Sequence, residues 1–169
     1  MPLDENAKQV NVIGSVQEYF DAELSDVLNS SAPSIDFGGG MPFKDDRLEK
    51  WIQVRMLAPA RPEILSGPFS TGGKRGQELF WVLNVNLFVR PGKLSPFTNL
   101  ALPGLRDLVI DRLMPGRSIT VKDYGGEGET IGYLIVKDIM EDRAIYDPQR
   151  TELLQHNLVV LLRWTETWL

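Results

Sequence analysis

A chain of 169 residues with 43% hydrophobic content can fill one core but would be cramped as two domains. The absence of cysteine excludes disulfides, thiol nucleophiles and zinc–thiolate sites, and a net charge of −5 argues against a surface built to neutralise nucleic-acid phosphates. No run approaches the roughly 18 uncharged apolar residues of a membrane helix, and the opening MPLDENAKQV has neither the basic nor the apolar region of a secretory leader. The expectation is a single cytoplasmic domain over residues 1–169.

Ser15 and Glu18 have the spacing of a capping box, in which two side chains satisfy orphan N–H groups at a helix start. The first helix is therefore predicted from Ser15 to about Leu28. Val16, Phe20, Leu24, Val27 and Leu28 recur at helical spacing, and Glu18, Asp21, Glu23 and Asp26 fall mostly on the opposite, solvated side. Residues 29–46, with Pro33 and the triple glycine Gly38 to Gly40, read as an irregular loop. From Lys50 to Leu57, Ile52, Val54 and Met56 alternate with Trp51, Gln53 and Arg55, the period of a half-buried strand.

An arm follows from Ala58 to Gln77, with three prolines, four glycines and three basic side chains, a composition unable to build a core. Beyond it, Glu78 to Arg90 is apolar at every odd position from Leu79 to Val89, the most secure strand in the chain. The two strands read as a hairpin whose connection far exceeds the usual length, and long connections are generally functional or disordered. After a second Pro/Gly-rich stretch, Leu105, Leu108, Val109 and Leu113 predict a second helix that opens near Pro103 and stops at Pro115–Gly116.

Ser118 to Tyr124 and Thr130 to Ile139 read as strands around the turn Gly125 to Gly128, the second of them bulged or broken near Asp138. Leu153 to Trp164 closes the pattern as a strand apolar on both faces, suited to a central or interface position. The order implies an α+β fold: a mainly antiparallel sheet, two helices packed on one face, and long extended loops including the arm.

Candidate chemistry is sparse. The only histidine, His156, lies inside the last predicted strand, which leaves no histidine-based triad or polyhistidine metal site within one subunit and points to a packing role. Three carboxylate pairs, Asp45 with Asp46, Glu127 with Glu129 and Glu141 with Asp142, fall in predicted loops or strand ends where both members stay ionised. GPFSTGGKR resembles a phosphate loop but fails it: Gly73 displaces Lys74 by one place, Arg75 stands where a hydroxyl should bind metal, and a strand follows in place of a helix. Trp51, Trp81 and Trp164 are expected in the core, whereas Trp168 is a candidate anchor on a neighbouring subunit. Arg61, Lys74 and Arg75 could meet an acidic partner surface, including the acidic face of another copy.

The capped acidic helix SVQEYFDAEL, the strand KWIQVRML, the arm with GGKRGQ leading into ELFWVLNVNLFVRPG, the helix LPGLRDLVIDRLMPG and the closing strand LQHNLVVLLRW together span most of the chain. In layout they resemble the tail terminator, or tail-completion and neck, proteins of long-tailed bacteriophages. The resemblance implies a non-catalytic virion subunit without cofactor or metal, forming a homohexameric ring that ends the tail tube and joins the head-side connector. Its partners would be other copies, the tail-tube protein and the connector, with DNA passing through an acidic lumen without specific binding. Within the arm and the terminus, Arg61, Phe69, Lys74, Arg75 and Trp168 are the contact candidates that follow. The alternative is a small carboxylate-dependent hydrolase using Glu127 and Glu129 with a divalent ion.

Overall fold

A computed structural model describes residues 9–28, 35–37, 49–57, 69–71, 74–90, 98–146 and 153–168. In chain order the elements are α1 (Gln9–Leu28), β1 (Ile35–Asp36), β2 (Lys50–Leu57), β3 (Phe69–Thr71), β4 (Lys74–Val89), α2 (Thr98–Arg112), β5 (Ser118–Lys122), β6 (Thr130–Ile145) and β7 (Leu154–Trp168). The strands form one sheet in the order β1-β2-β4-β7-β6-β5, with β3 paired to β4. Every pairing is antiparallel except that of β1 with β2. The fold is thus α+β, as the sequence pattern predicts, and its last strand occupies the predicted central place between β4 and β6. Among the described residues no helix is long and apolar enough to cross a membrane.

The core lies between one face of the sheet and both helices. Period-two residues Ile52 and Val54 of β2, Leu83, Val85 and Leu87 of β4, and Leu158, Val160 and Leu162 of β7 are all buried in it. Against them pack Val12, Val16, Phe20 and Leu24 of α1, Leu105 and Val109 of α2, and Leu113 just past its end. The helices also tie to each other. Tyr19 Oη donates a 2.6 Å hydrogen bond to the carbonyl of Arg112, satisfying one of the orphan acceptors at the end of α2.

Several boundaries differ from the sequence expectation: β4 starts earlier, at Lys74, β5 ends at Lys122, β7 runs on to Trp168, and three others bear on the packing. α1 begins at Gln9, so Ser15 is not a cap; it lies in the helix interior and is buried. α2 begins at Thr98, which puts Pro103 inside the helix and not in its opening turn. Proline there forgoes the bond to the carbonyl of Asn99 and crowds that carbonyl, a cost set against the burial of Leu102 and Leu105 on either side. β6 runs to Ile145, with register shifts between Val136 and Asp138 and between Ile139 and Glu141, so the predicted irregularity near Asp138 is a bulge and not a break. β1, within the stretch read as a loop, is two residues long and exists by parallel pairing to β2.

The remaining turns follow their predicted chemistry. Past α2, Gly116 at φ +92° lets the chain reverse, its N–H donating to the carbonyl of Val136 at 2.8 Å. The β5–β6 hairpin turns through Gly125 to Gly128, with Gly128 at φ +78° and its N–H donating to the carbonyl of Asp123.

Candidate assembly surface

β4 and β7 outrun their neighbours. β2 pairs with β4 only from Lys50↔Val89 to Leu57↔Val82, whereas β7 continues along β4 to Arg75↔Trp168. On its other side β7 last pairs with β6 at Leu134↔Trp164. Past these limits the sheet narrows to a ribbon of β3, the start of β4 and the end of β7. The expected arm from Ala58 to Gln77 is not irregular throughout: Phe69–Thr71 and Lys74–Gln77 are strands. They are separated by Gly72 and Gly73, a dipeptide suited to a two-residue hairpin, and pair at Thr71↔Lys74, Ser70↔Arg75 and Phe69↔Gly76.

Four of the five contact candidates therefore share the ribbon. Arg75 stands opposite both Ser70 and Trp168, Lys74 is the next residue of β4, and Phe69 is one register row away. Arg61, like the rest of residues 58–68, lies outside the described residues. The phosphate-loop imitation is dismissed by the same geometry, since Lys74 and Arg75 open a strand.

A second feature sits on α1. An apolar cleft of about 230 Å³ between α1 and β2 is lined by Ile13, Val16, Phe37, Val54, Met56 and Leu83, with Gln17 and Arg55. It meets, at Ile13 and Gln17, a shallow groove of about 850 Å³ running past Val10, Gly14, Glu18 and Asp21 to Tyr124. The groove wall is fixed by a polar latch. Ser15 Oγ accepts the N–H of Lys122 at 2.9 Å, and Asn11 Oδ1 accepts that of Tyr124 at 2.9 Å. Glu18 receives the Tyr124 hydroxyl at 2.7 Å and pairs with Lys122, whose hydrogen bond is the main cause holding its carboxyl below the usual range. Burial first, then the hydrogen bond to Glu18, pushes the Tyr124 phenol up to about 12. The Tyr124 ring lies where a Cβ on Gly14 would come within 2.8 Å of it, so this approach requires glycine.

On the sheet face away from the helices, Trp51 stacks on Phe88 with centroids 5.0 Å apart, and Arg90 lies 5.0 Å from the Trp51 ring. Next to them Asn157 Nδ2 donates to Asn84 Oδ1 at 2.6 Å and to Asn86 Oδ1 at 2.9 Å, and Gln155 also donates to Asn86. All three tryptophans expected in the core are buried, but only Trp81 and Trp164 lie in the core under the helices; Trp51 is buried with Phe88 in a separate cluster on the opposite face.

The titratable groups form contacts that hold elements together. Asp142, expected at a solvated strand end, is exposed but lies within β6, where it pairs with Arg106 of α2, while His156 Nε2 of β7 lies 2.6 Å from its Oδ1. The Arg106 hydrogen bond is the main cause that keeps the Asp142 carboxyl down near about 2, so it stays ionised. His156 has the packing role expected of it. Glu127 and Glu129, offered for hydrolysis, are exposed on the β5–β6 turn, and Asp45 and Asp46 fall outside the described residues. Among the described residues no group of three potential ligands could hold a metal ion.

No protein-family model matches this chain, and no curated protein matches it. Among solved structures, the sheath/tube terminator of PVC, an extracellular contractile injection system, in its extended state is similar at 14% identity and a TM-score of 0.44. The match covers 92% of this chain and 57% of that one, so this chain spans little more than half the terminator's length. Another solved chain, whose name states no activity, is 13% identical at a TM-score of 0.43, covering 92% of this chain and 95% of its own. Likenesses this distant carry no argument about what the chain does.

Proposed function

We propose that this chain is a non-catalytic structural subunit of a phage-type tail or neck, assembling as a ring of identical copies. By its family resemblance the ring would be a hexamer that ends the tail tube, meets the head-side connector and lets DNA pass without specific binding. Its place would then be the virion, after assembly in the host cytoplasm, and it would need no cofactor.

One observation carries this reading: the β3–β4–β7 ribbon, which extends beyond β2 and β6 and gathers Phe69, Lys74, Arg75 and Trp168. A subunit that joins copies head to tail needs one projecting element and one receiving surface, and such contacts close into rings when the rotation permits. Among the described residues the final four of β7, Thr165 to Trp168, have β4 on one side and no strand on the other. Unpaired backbone of this kind is a template for pairing with another chain.

Size-exclusion chromatography with light scattering, followed by negative-stain imaging, tests the proposal. The expected result is a multimer that images as a ring with a central hole. A strict monomer, alone and when mixed with tail tubes, would overturn it.

A further inference from the structure

Two opposite charges stand beside apolar features on either flank of α1. On the groove side Glu18 is engaged by Lys122 and Tyr124, whereas Asp21 is exposed and, among the described residues, forms no ion pair. On the α2 side Arg112 is taken by Glu23, whereas Arg117 is exposed and likewise unpaired among the described residues. Arg117 closes a turn with Met114: its N–H donates to the Met114 carbonyl at 3.0 Å, across Pro115 and the positive-φ Gly116, the residues a type II turn favours. Backbone bonds from Gly116 to Val136 and from Val136 to Arg117 pin this turn to β6, so it docks with little ordering entropy to lose, and Met114 stands 49% exposed on it.

We propose that the turn Met114–Arg117 of one copy docks on the α1 groove of the next, with Met114 in the apolar cleft beside Ile13 and Met56 and Arg117 against Asp21. The spacing agrees. The first and fourth residues of such a turn lie within about 7 Å of each other, and Gln17, where cleft and groove meet, is one helical turn, about 6 Å, from Asp21. The cleft, at about 230 Å³, is smaller than the roughly 300–1,000 Å³ of small-molecule sites and suits one flexible thioether side chain. A subunit cannot make this contact with itself. Tyr19 and Glu23 hold the end of α2, and at about 100° per residue Val10, Gln17 and Asp21 lie roughly 160–180° around α1 from Tyr19. Turn and groove therefore sit on opposite flanks of one helix, and the contact is heterologous, repeating from copy to copy as a ring requires. The inference rests on the ring reading above and adds a contact separate from the ribbon.

Charge reversal tests it. Asp21→Arg and Arg117→Asp, both at exposed positions, are each expected to raise the concentration for half-assembly at least about tenfold, as like charges then face each other across the contact. The double variant restores an opposite pair and is expected to assemble near the wild-type concentration, read by light scattering over a dilution series. Met114→Gln leaves every charge in place and is expected to weaken assembly several-fold. Wild-type assembly by either reversal or by Met114→Gln, or a double variant as dissociated as its parents, would overturn the inference while leaving a ring-forming protein. A wild type that stays monomeric, alone and with tail tubes, would remove both this inference and the ring reading.

Discussion

Replacing Ser15 by aspartate separates the two roles a serine can have in this helix. As an N-cap, aspartate is as good as serine and Ser15→Asp would be neutral or slightly stabilising. In the structure Ser15 is 2% exposed and six residues inside α1, with its hydroxyl accepting the N–H of Lys122. That N–H belongs to the residue at which the β5–β6 register shifts, between Val121 and Lys122, so the bulge frees a backbone donor and Ser15 receives it. Ser15→Ala should cost about 1–3 kcal/mol, the usual result of leaving a buried donor without its acceptor. Ser15→Asp should cost more, since a carboxylate must be desolvated there and the nearest acid, Glu18, is one turn away. For a chain of this length each kcal/mol lowers the midpoint by about 2–4 °C. Urea unfolding followed by tryptophan fluorescence gives the free energies directly. An aspartate variant as stable as wild type would refute the latch and restore the cap.

Gly132→Ala should destabilise by about 1–3 kcal/mol, because a Cβ there runs into the indole of Trp164, which is itself buried and must shift; near-ultraviolet circular dichroism should register the displaced indole, and an unchanged spectrum with unchanged stability would count against the packing. Asp142 has its carboxyl depressed from 3.8 to about 2 by Arg106, so its contribution is complete above pH 3.8 and is lost as pH falls through about 2. The stability gap between wild type and Arg106→Met should therefore be widest above pH 4 and narrow steadily toward pH 2, where a gap constant across that range would show that Arg106 acts by packing alone.

The two features most easily read were those fixed by local periodicity. β2 matches its predicted bounds, and β4 shows its predicted alternation because Leu83, Val85 and Leu87 all face one core. Ser15 was misread because the same hydroxyl chemistry suits a cap or a distant backbone donor, and its partner lies 107 residues away. β1 has no pattern of its own, being two residues that pair with a strand already formed. The Gly72–Gly73 hairpin signal was present, but the short flanking strands lack alternating apolar residues and owe their existence to β7 running alongside. The groove could not be read at all, since its walls come from α1, β2, β4, Phe37 just past β1 and the turn after β5.

The distribution of edge protection bears on which part of the sheet meets another copy. Beyond Ile135, β6 has no strand on the side away from β7 among the described residues, which makes Lys137 to Ile145 the longest such edge. It is also the most defended. Two bulges disturb its ladder, and Lys137, Asp138, Glu141, Asp142 and Arg143 load it with charge of both signs, devices that discourage a second strand from adding. The ribbon has a different character: β4 and β7 keep an unshifted register from Val89↔Leu154 to Arg75↔Trp168, with no bulge to twist them away. Under the ring proposal, a sheet that blunts one long edge and leaves a regular ribbon at another would direct association to the ribbon. What the asymmetry disfavours is a two-fold dimer through β6, which would have to pair two bulged, charged strands with each other.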